Sequence, residues 1–220
     1  MDAWLLALRD SYDKLADKYT ERIYGELAHK PFDRALLDEF AERVRGRGLV
    51  CDLGCGPGHV ARYLHERGVE VCGVDLAPAM VERAREQNPG IAFSEGNMLA
   101  LDAAEGAWIG IAAFYSIIHV PRADVGQALG EMFRALKPGG VCVLGFHLGR
   151  DAMHVDELWG EQVSIDCTFF STEEMEAHLL GAGFEVERRE ERDPYPDVEY
   201  PSRRGYVVAR KTEAPEAPQL

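Results

Sequence analysis

The sequence predicts an α/β fold: a three-layer sandwich with a Rossmann-like, seven-stranded, mostly parallel sheet and an antiparallel last strand. Short apolar runs alternate with segments of helical period, which is typical of parallel strands joined by crossover helices. The runs are continuously apolar, as expected of strands buried on both faces. With 220 residues, 46% of them hydrophobic, the chain can bury one substantial core, which favours a single domain over residues 1–210.

The first 46 residues predict two helices ahead of the first strand. The second helix begins at Pro31, a favourable residue for a first helical turn. It carries one apolar stripe, made of Phe32, Leu36, Leu37, Phe40 and Val44. In the first helix, Tyr12, Leu15 and Tyr19 share one face. This face is either a core stripe or part of a lid over a site at the sheet.

Residues 47–147 predict five strands with helices between them. The strands are LVCDL (49–53), VEVCGVD (69–75), IAFSEGN (91–97), WIGIAAFYS (108–116) and VCVLGFH (141–147). The clearest helix has apolar residues at positions 125, 128, 129, 132, 133 and 136, in the i, i+3, i+4, i+7 pattern. It ends at KPGG, because Pro138 and Gly139 do not continue a helix.

The segment after the fifth strand gives fewer signals. Residues 148–170 show little periodicity. A helix then begins at Ser171, which forms a capping-box pattern with Glu174. FEVERRE and GYVVARK predict a final pair of strands joined by a proline-rich connection. The composition of residues 211–220 predicts a disordered tail.

Charge and hydropathy disfavour two classes of partner. The formal net charge of -14 disfavours binding to phosphate backbones, which requires clustered lysine and arginine, so we expect no nucleic-acid partner. No apolar run approaches the length of about 18 residues that a membrane span needs. The start MDAWLLALRD lacks the basic leading region of a signal peptide. We therefore expect a cytoplasmic protein without a membrane partner.

The five cysteines predict reduced core thiols. They are odd in number and lie mostly in apolar strand-like runs, which argues against a disulfide framework. Cys51 and Cys55 lack the spacing and the second cysteine pair of a zinc knuckle. We therefore expect no metal site.

A glycine-rich turn follows the first strand in the stretch LVCDLGCGPGHV. Gly54, Gly56 and Gly58 alternate there; a missing Cβ lets a ligand approach the backbone, and the next helix offers unpaired N–H groups. The pattern also fits a tight packing turn without a ligand. Asp75 ends the second strand, 21 residues after Gly54. It favours a ligand, because a carboxylate there can accept hydrogen bonds from both hydroxyls of a ribose.

Two classes of cofactor contain such a ribose. The dinucleotide fingerprint G-x-G-x-x-G places its third glycine where this chain has His59. Asp52 lies two positions before the first glycine, and its carboxylate would repel a diphosphate and attract a cationic ammonium group. The residues therefore favour a cationic cofactor over a dinucleotide.

The motifs resemble those of class I S-adenosylmethionine-dependent methyltransferases of the small-molecule type. CDLGCGPG is similar to the acidic glycine-rich first motif of the family, GVDLAPAM to its second-strand acid, EGNM to the end of its third strand and LKPGG to the turn before its fifth strand. The resemblance covers residues 11–210. It implies a helical lid or cap over residues 1–46, a cofactor-binding half over 47–147 and a substrate-side segment with the final strands over 148–210.

The resemblance also implies contacts with S-adenosyl-L-methionine or its product S-adenosyl-L-homocysteine. The implied contact residues are Tyr19, Asp52, Gly54, Gly56, Asp75, Leu76, Asn97, Met98 and Phe114. The glycines would lie under the methionine portion, with Asp52 nearby, and Asp75 would bind the ribose. Leu76 would pack on the adenine, and the Met98 N–H would donate to its ring. Asn97 stands where the family usually has aspartate, and its amide oxygen would accept from the adenine amino group.

Catalysis in this family depends mainly on alignment of the methyl group and exclusion of water, because the sulfonium makes the methyl electrophilic. A base is needed only for an acceptor that carries a proton. His119, just beyond the fourth strand, is the first candidate, and His147, just after the fifth, is the second. His119 could instead be a loop histidine bonded to backbone. The remaining histidines of predicted helices have no such position; they are His29, His59, His65 and His178.

Residues 148–170 occupy the place where this family often builds its acceptor pocket, although a surface loop is an equally good interpretation. The pocket candidates there are His154, Trp159, Asp166 and Phe169. The resemblance thus predicts methyl transfer to an O, N or C nucleophile of a small molecule. One alternative is a methyltransferase for protein or tRNA, which the acidic balance and scattered arginines disfavour. The other is a non-catalytic scaffold that binds the cofactor.

Overall fold

The computed structural model describes residues 2–212, so the predicted disorder of residues 213–220 lies outside the described residues. The strands in this part of the chain are β1 (Val50–Leu53), β2 (Val71–Asp75), β3 (Ala92–Glu95), β4 (Trp108–Phe114), β5 (Leu136–His147), β6 (Ala152–Leu158), β7 (Glu161–Thr168), β8 (Glu185–Arg192) and β9 (Arg204–Arg210). The α-helices are α1 (Ala3–Ile23), α2 (Pro31–Val44), α3 (His59–His65), α4 (Pro78–Gln87), α5 (Val125–Ala135) and α6 (Thr172–Gly181). None of these helices is both long and apolar enough to cross a membrane.

Seven strands form one sheet in the order β3–β2–β1–β4–β5–β9–β8. Neighbours from β3 to β5 are parallel, whereas β9 is antiparallel to both β5 and β8. Cys51 of β1 lies in register between Cys72 of β2 and Ile111 of β4. The predicted fold class is therefore confirmed. The strand order reverses between β1 and β4, and such a reversal creates a crevice at the carboxyl ends of the strands.

Helices cover both faces of the sheet. On one face, α5 and α6 bury apolar side chains in the larger core, among them Leu129, Met132 and Leu179. On the other face, α2 and α3 contribute side chains such as Phe40 and Leu64. The central strands are therefore buried on both sides, which is why their sequence runs are apolar rather than alternating.

The predicted turn KPGG is part of β5. This strand begins at Leu136, which pairs with Trp108 of β4, and the register shifts before Val141 pairs with Gly110. Gly139, within the shifted segment, has a φ of +72°, which favours glycine. The sequence signal therefore marks an irregularity inside a strand instead of a turn ahead of it.

The start of α6 follows its local signal. The Oγ atom of Ser171 accepts the N–H of Glu174 at 3.1 Å, which caps the helix as predicted. The side chain of Glu174 extends away from Ser171 and pairs with Arg122 in the segment after β4. The second half of the expected capping box is thus replaced by an ion pair between two elements.

Residues 148–170 form a hairpin, so the interpretation as a surface loop is wrong. β6 and β7 pair antiparallel outside the main sheet. Val163 and Ile165 of β7 pack against Leu8 and Leu15 of α1. Within β7 only Val163, Ile165 and Thr168 are buried, and the register of β6 shifts near its middle. The apolar period is consequently short and interrupted, which explains why the sequence pattern did not predict the hairpin.

Candidate active site

A cavity opens at the carboxyl edge of the sheet, where the ends of β1, β2 and β4 meet α1. Its volume is about 910 Å³, including the part open to solvent. Nine of the eleven predicted site residues line it, and Asp52 and His147 do not. The nine are Tyr19, Gly54, Gly56, Asp75, Leu76, Asn97, Met98, Phe114 and His119.

The glycine loop after β1 forms one wall of the cavity. Gly54 (φ +74°) and Gly56 (φ +51°) are left-handed, a conformation that favours glycine. A Cβ at Gly54 would lie 2.2 Å from the Cβ of Ser116, so this glycine lets the loop pack against the segment after β4. A Cβ at Gly56 would point toward Tyr19 of α1, at 3.6 Å from its Cε1 atom. Packing therefore explains Gly54, whereas Gly56 keeps the gap between the loop and α1 open.

Asp75 ends β2 and is fixed by backbone N–H groups. Its Oδ2 accepts the N–H of Gly56 at 2.7 Å, and its Oδ1 accepts the N–H of Ala77 at 2.9 Å. Burial raises the pKa of the Asp75 carboxyl, and these two N–H groups oppose the rise. Each oxygen keeps a second lone pair. The carboxylate can therefore accept further hydrogen bonds from a ligand in the cavity.

Asn97 lies just beyond β3, and its side chain forms a hydrogen bond with the backbone of the following turn. Its Oδ1 accepts the N–H of Leu99 at 3.0 Å, which stabilises the turn that carries Met98. One lone pair of this oxygen is left for a ligand. A hydrogen bond from an adenine amino group would therefore share the oxygen with the backbone.

Side chains of α1 line the cavity together with Leu76 and Met98. Three of them were not predicted as site residues: Trp4, Leu5 and Leu8. Their positions i, i+1 and i+4 place them on one face of a helix, and this spacing was the available signal. The apolar faces of these side chains suit a flat aromatic group.

Asp52 lies beneath the glycine loop and is only 2% exposed. Its Oδ2 accepts the N–H of Ala61 at 2.9 Å, so the carboxylate anchors the first turn of α3. Burial, despite the nearby His59, raises the pKa of this carboxyl to about 7. The Asp52 side chain therefore bonds to the helix under the loop and does not line the cavity, so any contact with a cationic ligand would be indirect.

His119 follows β4 in a short 3₁₀ turn, Ile117–His119. Its Nδ1 lies 3.0 Å from the carbonyl oxygen of Asp166. Because a carbonyl only accepts hydrogen bonds, Nδ1 carries the proton, and Nε2 accepts from the hydroxyl of Tyr12 at 2.8 Å. Burial lowers the pKa of His119, partly opposed by the Asp166 carbonyl. A neutral imidazole thus directs a lone pair at a tyrosine of α1.

His147 lies at the end of β5 but does not line the cavity. Its Nδ1 is 2.6 Å from the Oγ of Ser202, and its ring centroid is 5.5 Å from that of Phe169. Burial, followed by the nearby charge of Arg204, lowers the pKa of His147 to about 3. The structure thus separates His147 from the cavity, because Ser202 and Tyr200 of the segment before β9 cover this strand end.

The four residues proposed for an acceptor pocket lie on or beside the hairpin, outside the cavity lining. Only two of them approach the site: Asp166 through its backbone carbonyl to His119, and Trp159 through its ring, 5.9 Å from that of Tyr19. His154 is exposed and lies 2.6 Å from a carboxylate oxygen of Asp166. The hairpin therefore covers the site from outside, in contact with α1.

Glu26 and His59 also line the cavity. No sequence pattern indicates a role for Glu26, and the sequence places His59 among the ordinary helix residues. Glu26 belongs to the 3₁₀ turn Glu26–His29 between α1 and α2. Its Oε2 lies 2.8 Å from Nζ of Lys30, and its Oε1 lies 3.4 Å from Nε2 of His59. His59 is therefore a wall residue, not an ordinary helix residue. Two chain segments over 30 positions apart meet here, so no local pattern could reveal the cluster.

Comparison with known proteins finds methyltransferases among those similar to this chain. The family model described as "Methyltransferase domain" matches residues 50–140. The chain is 30% identical to a malonyl-[acyl-carrier protein] O-methyltransferase of Pectobacterium atrosepticum, over 64% of this chain and 60% of the relative. It is 37% identical to a demethylmenaquinone methyltransferase of Thermus thermophilus, over 60% of this chain and 62% of the relative. The chain spans 45% to 60% of the length of the malonyl-[acyl-carrier protein] O-methyltransferases that it matches.

A solved structure shares the fold over almost the whole chain. The DhpI complex with S-adenosylhomocysteine superimposes with a TM-score of 0.72, over 95% of this chain and 97% of that one, at 20% identity. A likeness at this identity establishes the fold. In sequence, residues 50–140 match the methyltransferase domain model and the curated relatives are methyltransferases, so the chain is similar to S-adenosylmethionine-dependent methyltransferases in both sequence and fold.

Proposed function

We propose that this protein binds S-adenosyl-L-methionine and transfers its methyl group to an O, N or C nucleophile of a small molecule. The observation that carries the proposal is the Asp75 carboxylate, which the N–H groups of Gly56 and Ala77 fix at the edge of the cavity. A carboxylate in this position is suited to the two hydroxyls of a ribose. When bound, the cofactor supplies an electrophilic methyl group on a sulfonium centre.

The residues of the cavity fit this cofactor in shape and polarity. The cavity wall is mostly apolar with a few polar groups, as is typical of small-molecule sites. The gap that Gly56 leaves beneath Tyr19 suits a narrow aliphatic chain. Leu76 offers an apolar contact for an adenine, while Asn97 and the Met98 N–H offer its hydrogen-bond partners.

Exclusion of water is the main contribution of α1 and the hairpin. Tyr12 and Tyr19 meet edge to face, with ring centroids 5.7 Å apart, and Trp159 of the hairpin turn packs against Tyr19. Removing water from the site strengthens its electrostatic interactions and prevents side reactions. The aromatic cover also favours an acceptor of limited size, which supports a small molecule over a macromolecule.

For an acceptor that carries a proton, His119 and Tyr12 provide a route for that proton. Tyr12 donates its hydroxyl proton to Nε2 of His119 and accepts the proton of the acceptor in exchange. The 2.8 Å contact between the two side chains allows this transfer. The carbonyl of Asp166 holds the protonated Nδ1 and fixes the tautomer that the transfer requires. An acceptor with a free lone pair needs no such route.

The first test is binding followed by turnover. Calorimetry should show binding of S-adenosylhomocysteine and none of NAD. Isotope-labelled methyl donor, incubated with the protein and a panel of small-molecule acceptors, should then give labelled product. Binding of NAD in place of S-adenosylhomocysteine would contradict the proposal. Binding without transfer to any acceptor would instead support the non-catalytic scaffold.

A further inference from the structure

The cavity contains an acidic side chain that the ribose contact does not use. Among the described residues, Glu26 and Asp75 are the two carboxylates that line the cavity. Asp75 is held by Gly56 and Ala77 at the end of β2. Glu26 lies beside His59, which begins α3 directly after the glycine loop. The two carboxylates therefore mark different parts of the same cavity.

Glu26 is partly buried, with 15% of its side chain exposed, and its surroundings keep it ionised. Burial alone would raise its pKa, but His59 and Lys30 lower the pKa to about 2. Lys30 is itself shared, because its Nζ also lies 3.4 Å from Glu199. A carboxylate has about four lone-pair sites, so Glu26 keeps acceptor capacity beyond these two partners.

His59 adds a second polar atom at this place. Its Nδ1 is buried and has no hydrogen-bond partner within residues 2–212. If Nε2 donates to Glu26, Nδ1 is an acceptor with a free lone pair. Buried polar atoms are normally satisfied, so this atom and Glu26 both suit a ligand group that donates several hydrogen bonds.

We propose that Glu26 binds the α-ammonium group of the cofactor's amino-acid portion, with His59 as a second acceptor. The inference rests on the proposed function, which supplies the ligand. An ammonium group has three donors and a positive charge, which matches the ionised carboxylate and the free Nδ1. Asp52, the carboxylate that the sequence suggested for a cationic group, lies under the loop and bonds to Ala61. Glu26, which lines the cavity, takes that part instead.

Calorimetry with three ligands tests this assignment in the full-length protein. The ligands are S-adenosylhomocysteine, its analogue with a hydroxyl in place of the α-amino group, and 5′-methylthioadenosine, which lacks the amino-acid portion. The wild type should prefer S-adenosylhomocysteine to the hydroxyl analogue by about tenfold or more, the scale of a charge-assisted hydrogen bond. Glu26→Gln should reduce this preference to within about twofold. Both proteins should bind 5′-methylthioadenosine alike.

Two further variants separate the charge of Glu26 from folding effects. Glu26→Asp keeps a negative charge beside Lys30 but shortens the side chain that carries the carboxylate. It should therefore also lower the preference for S-adenosylhomocysteine over the hydroxyl analogue. Thermal melting verifies that this variant is folded. Glu21→Gln makes the same charge change at an exposed position of α1 and should keep the wild-type preference.

Equal binding of S-adenosylhomocysteine and the hydroxyl analogue by the wild type would overturn the assignment. So would an unchanged preference in Glu26→Gln. Either result leaves the proposed function intact, because S-adenosylhomocysteine still binds. A wild-type protein that binds none of the three ligands would instead refute the proposed function itself.

Discussion

Asp75 joins the glycine loop to the second strand and faces the proposed ribose. In Asp75→Asn the charge is lost, and the amide NH₂ faces the N–H of Gly56 or Ala77. We expect the affinity for S-adenosylhomocysteine to fall by about 1.5–3 kcal/mol, the scale of hydrogen bonds to a charged group. Calorimetry measures the change. Asp102→Asn, at an exposed position, is the matched control, and equal affinities of the two variants would contradict the ribose assignment.

His119 should control the pH dependence of turnover for an acceptor that carries a proton. Only the neutral imidazole can accept a proton, so the rate should rise with pH through a group with a pKa below the usual 6.5, because burial lowers the pKa of His119. His119→Ala should abolish this rise and reduce kcat by about 10²- to 10⁴-fold. Affinity for S-adenosylhomocysteine should change little, because the imidazole acts on the acceptor.

Tyr12→Phe tests whether the proton passes through the tyrosine hydroxyl. It removes the 2.8 Å contact with His119, and we expect a loss of kcat similar in direction to that of His119→Ala. His65→Ala, an exposed histidine of α3, should retain wild-type kinetics. If His119→Ala keeps both the activity and the pH-dependent rise, the catalytic assignment of His119 fails.

The positions of three site residues follow from strand ends. Asp75 is the last residue of a parallel strand, Asn97 and His119 come shortly after one, and the carboxyl ends of parallel strands meet at one edge. The orientation of a side chain is not fixed by this rule. Asp52 turned to the N–H of Ala61, and Glu26 came into the cavity from the connection between α1 and α2. Both depend on tertiary contacts that no local pattern encodes.

At the level of elements, prediction succeeded where apolar residues recur over several turns. α5 was clear because one face is buried along its length, and Pro31 marked the start of α2. The hairpin was not predicted because its short strands bury one face mainly against α1. The buried face of the hairpin is recognised only when its strands and α1 are considered together.

Deletion of residues 1–20 tests the covering role of α1. The main sheet uses strands that all lie after this helix, and α1 packs mainly on β7 and α4. We expect the shortened protein to unfold cooperatively on heating, with loss of methyl transfer because the site is open to water. Circular dichroism and the labelled-methyl assay measure the two properties. Loss of the cooperative transition would place Tyr12 and Tyr19 in the structural core.

Across the whole molecule, a buried polar network joins the beginning and the end of the chain. Asp33 of α2 has 1% of its side chain exposed and lies 2.6 Å from Arg192 of β8. It also accepts hydrogen bonds from the hydroxyls of Tyr115 and Tyr206. Arg192 is bound in turn by Glu199 at 2.6 Å. Asp33 and Arg192 are 159 positions apart, so sequence periodicity gives no indication of the pair.

Asp33→Asn should strongly destabilise the fold, because it leaves Arg192, of whose side chain only 11% is exposed, with less compensation for its charge. Breaking one side of a buried ion pair costs about 3–5 kcal/mol, and we expect a value near the lower end because Glu199 still contacts Arg192. Urea unfolding gives the free energy. Asp38→Asn changes an aspartate of the same helix that is 50% exposed, and an exposed pair is worth at most about 1 kcal/mol.

The double variant Asp33→Asn with Arg192→Met distinguishes an ion pair from two independent packing positions. If the two charges stabilise each other, Asp33→Asn leaves the charge of Arg192 without this partner. Arg192→Met then removes this poorly compensated charge, so the double variant should be more stable than the sum of the single effects predicts. We expect a coupling of about 1 kcal/mol or more, within the range for residues in contact. Asp38→Asn combined with Arg192→Met should be additive. Additive losses for the Asp33 pair as well would show that the network stabilises the fold through packing and the tyrosine hydrogen bonds alone.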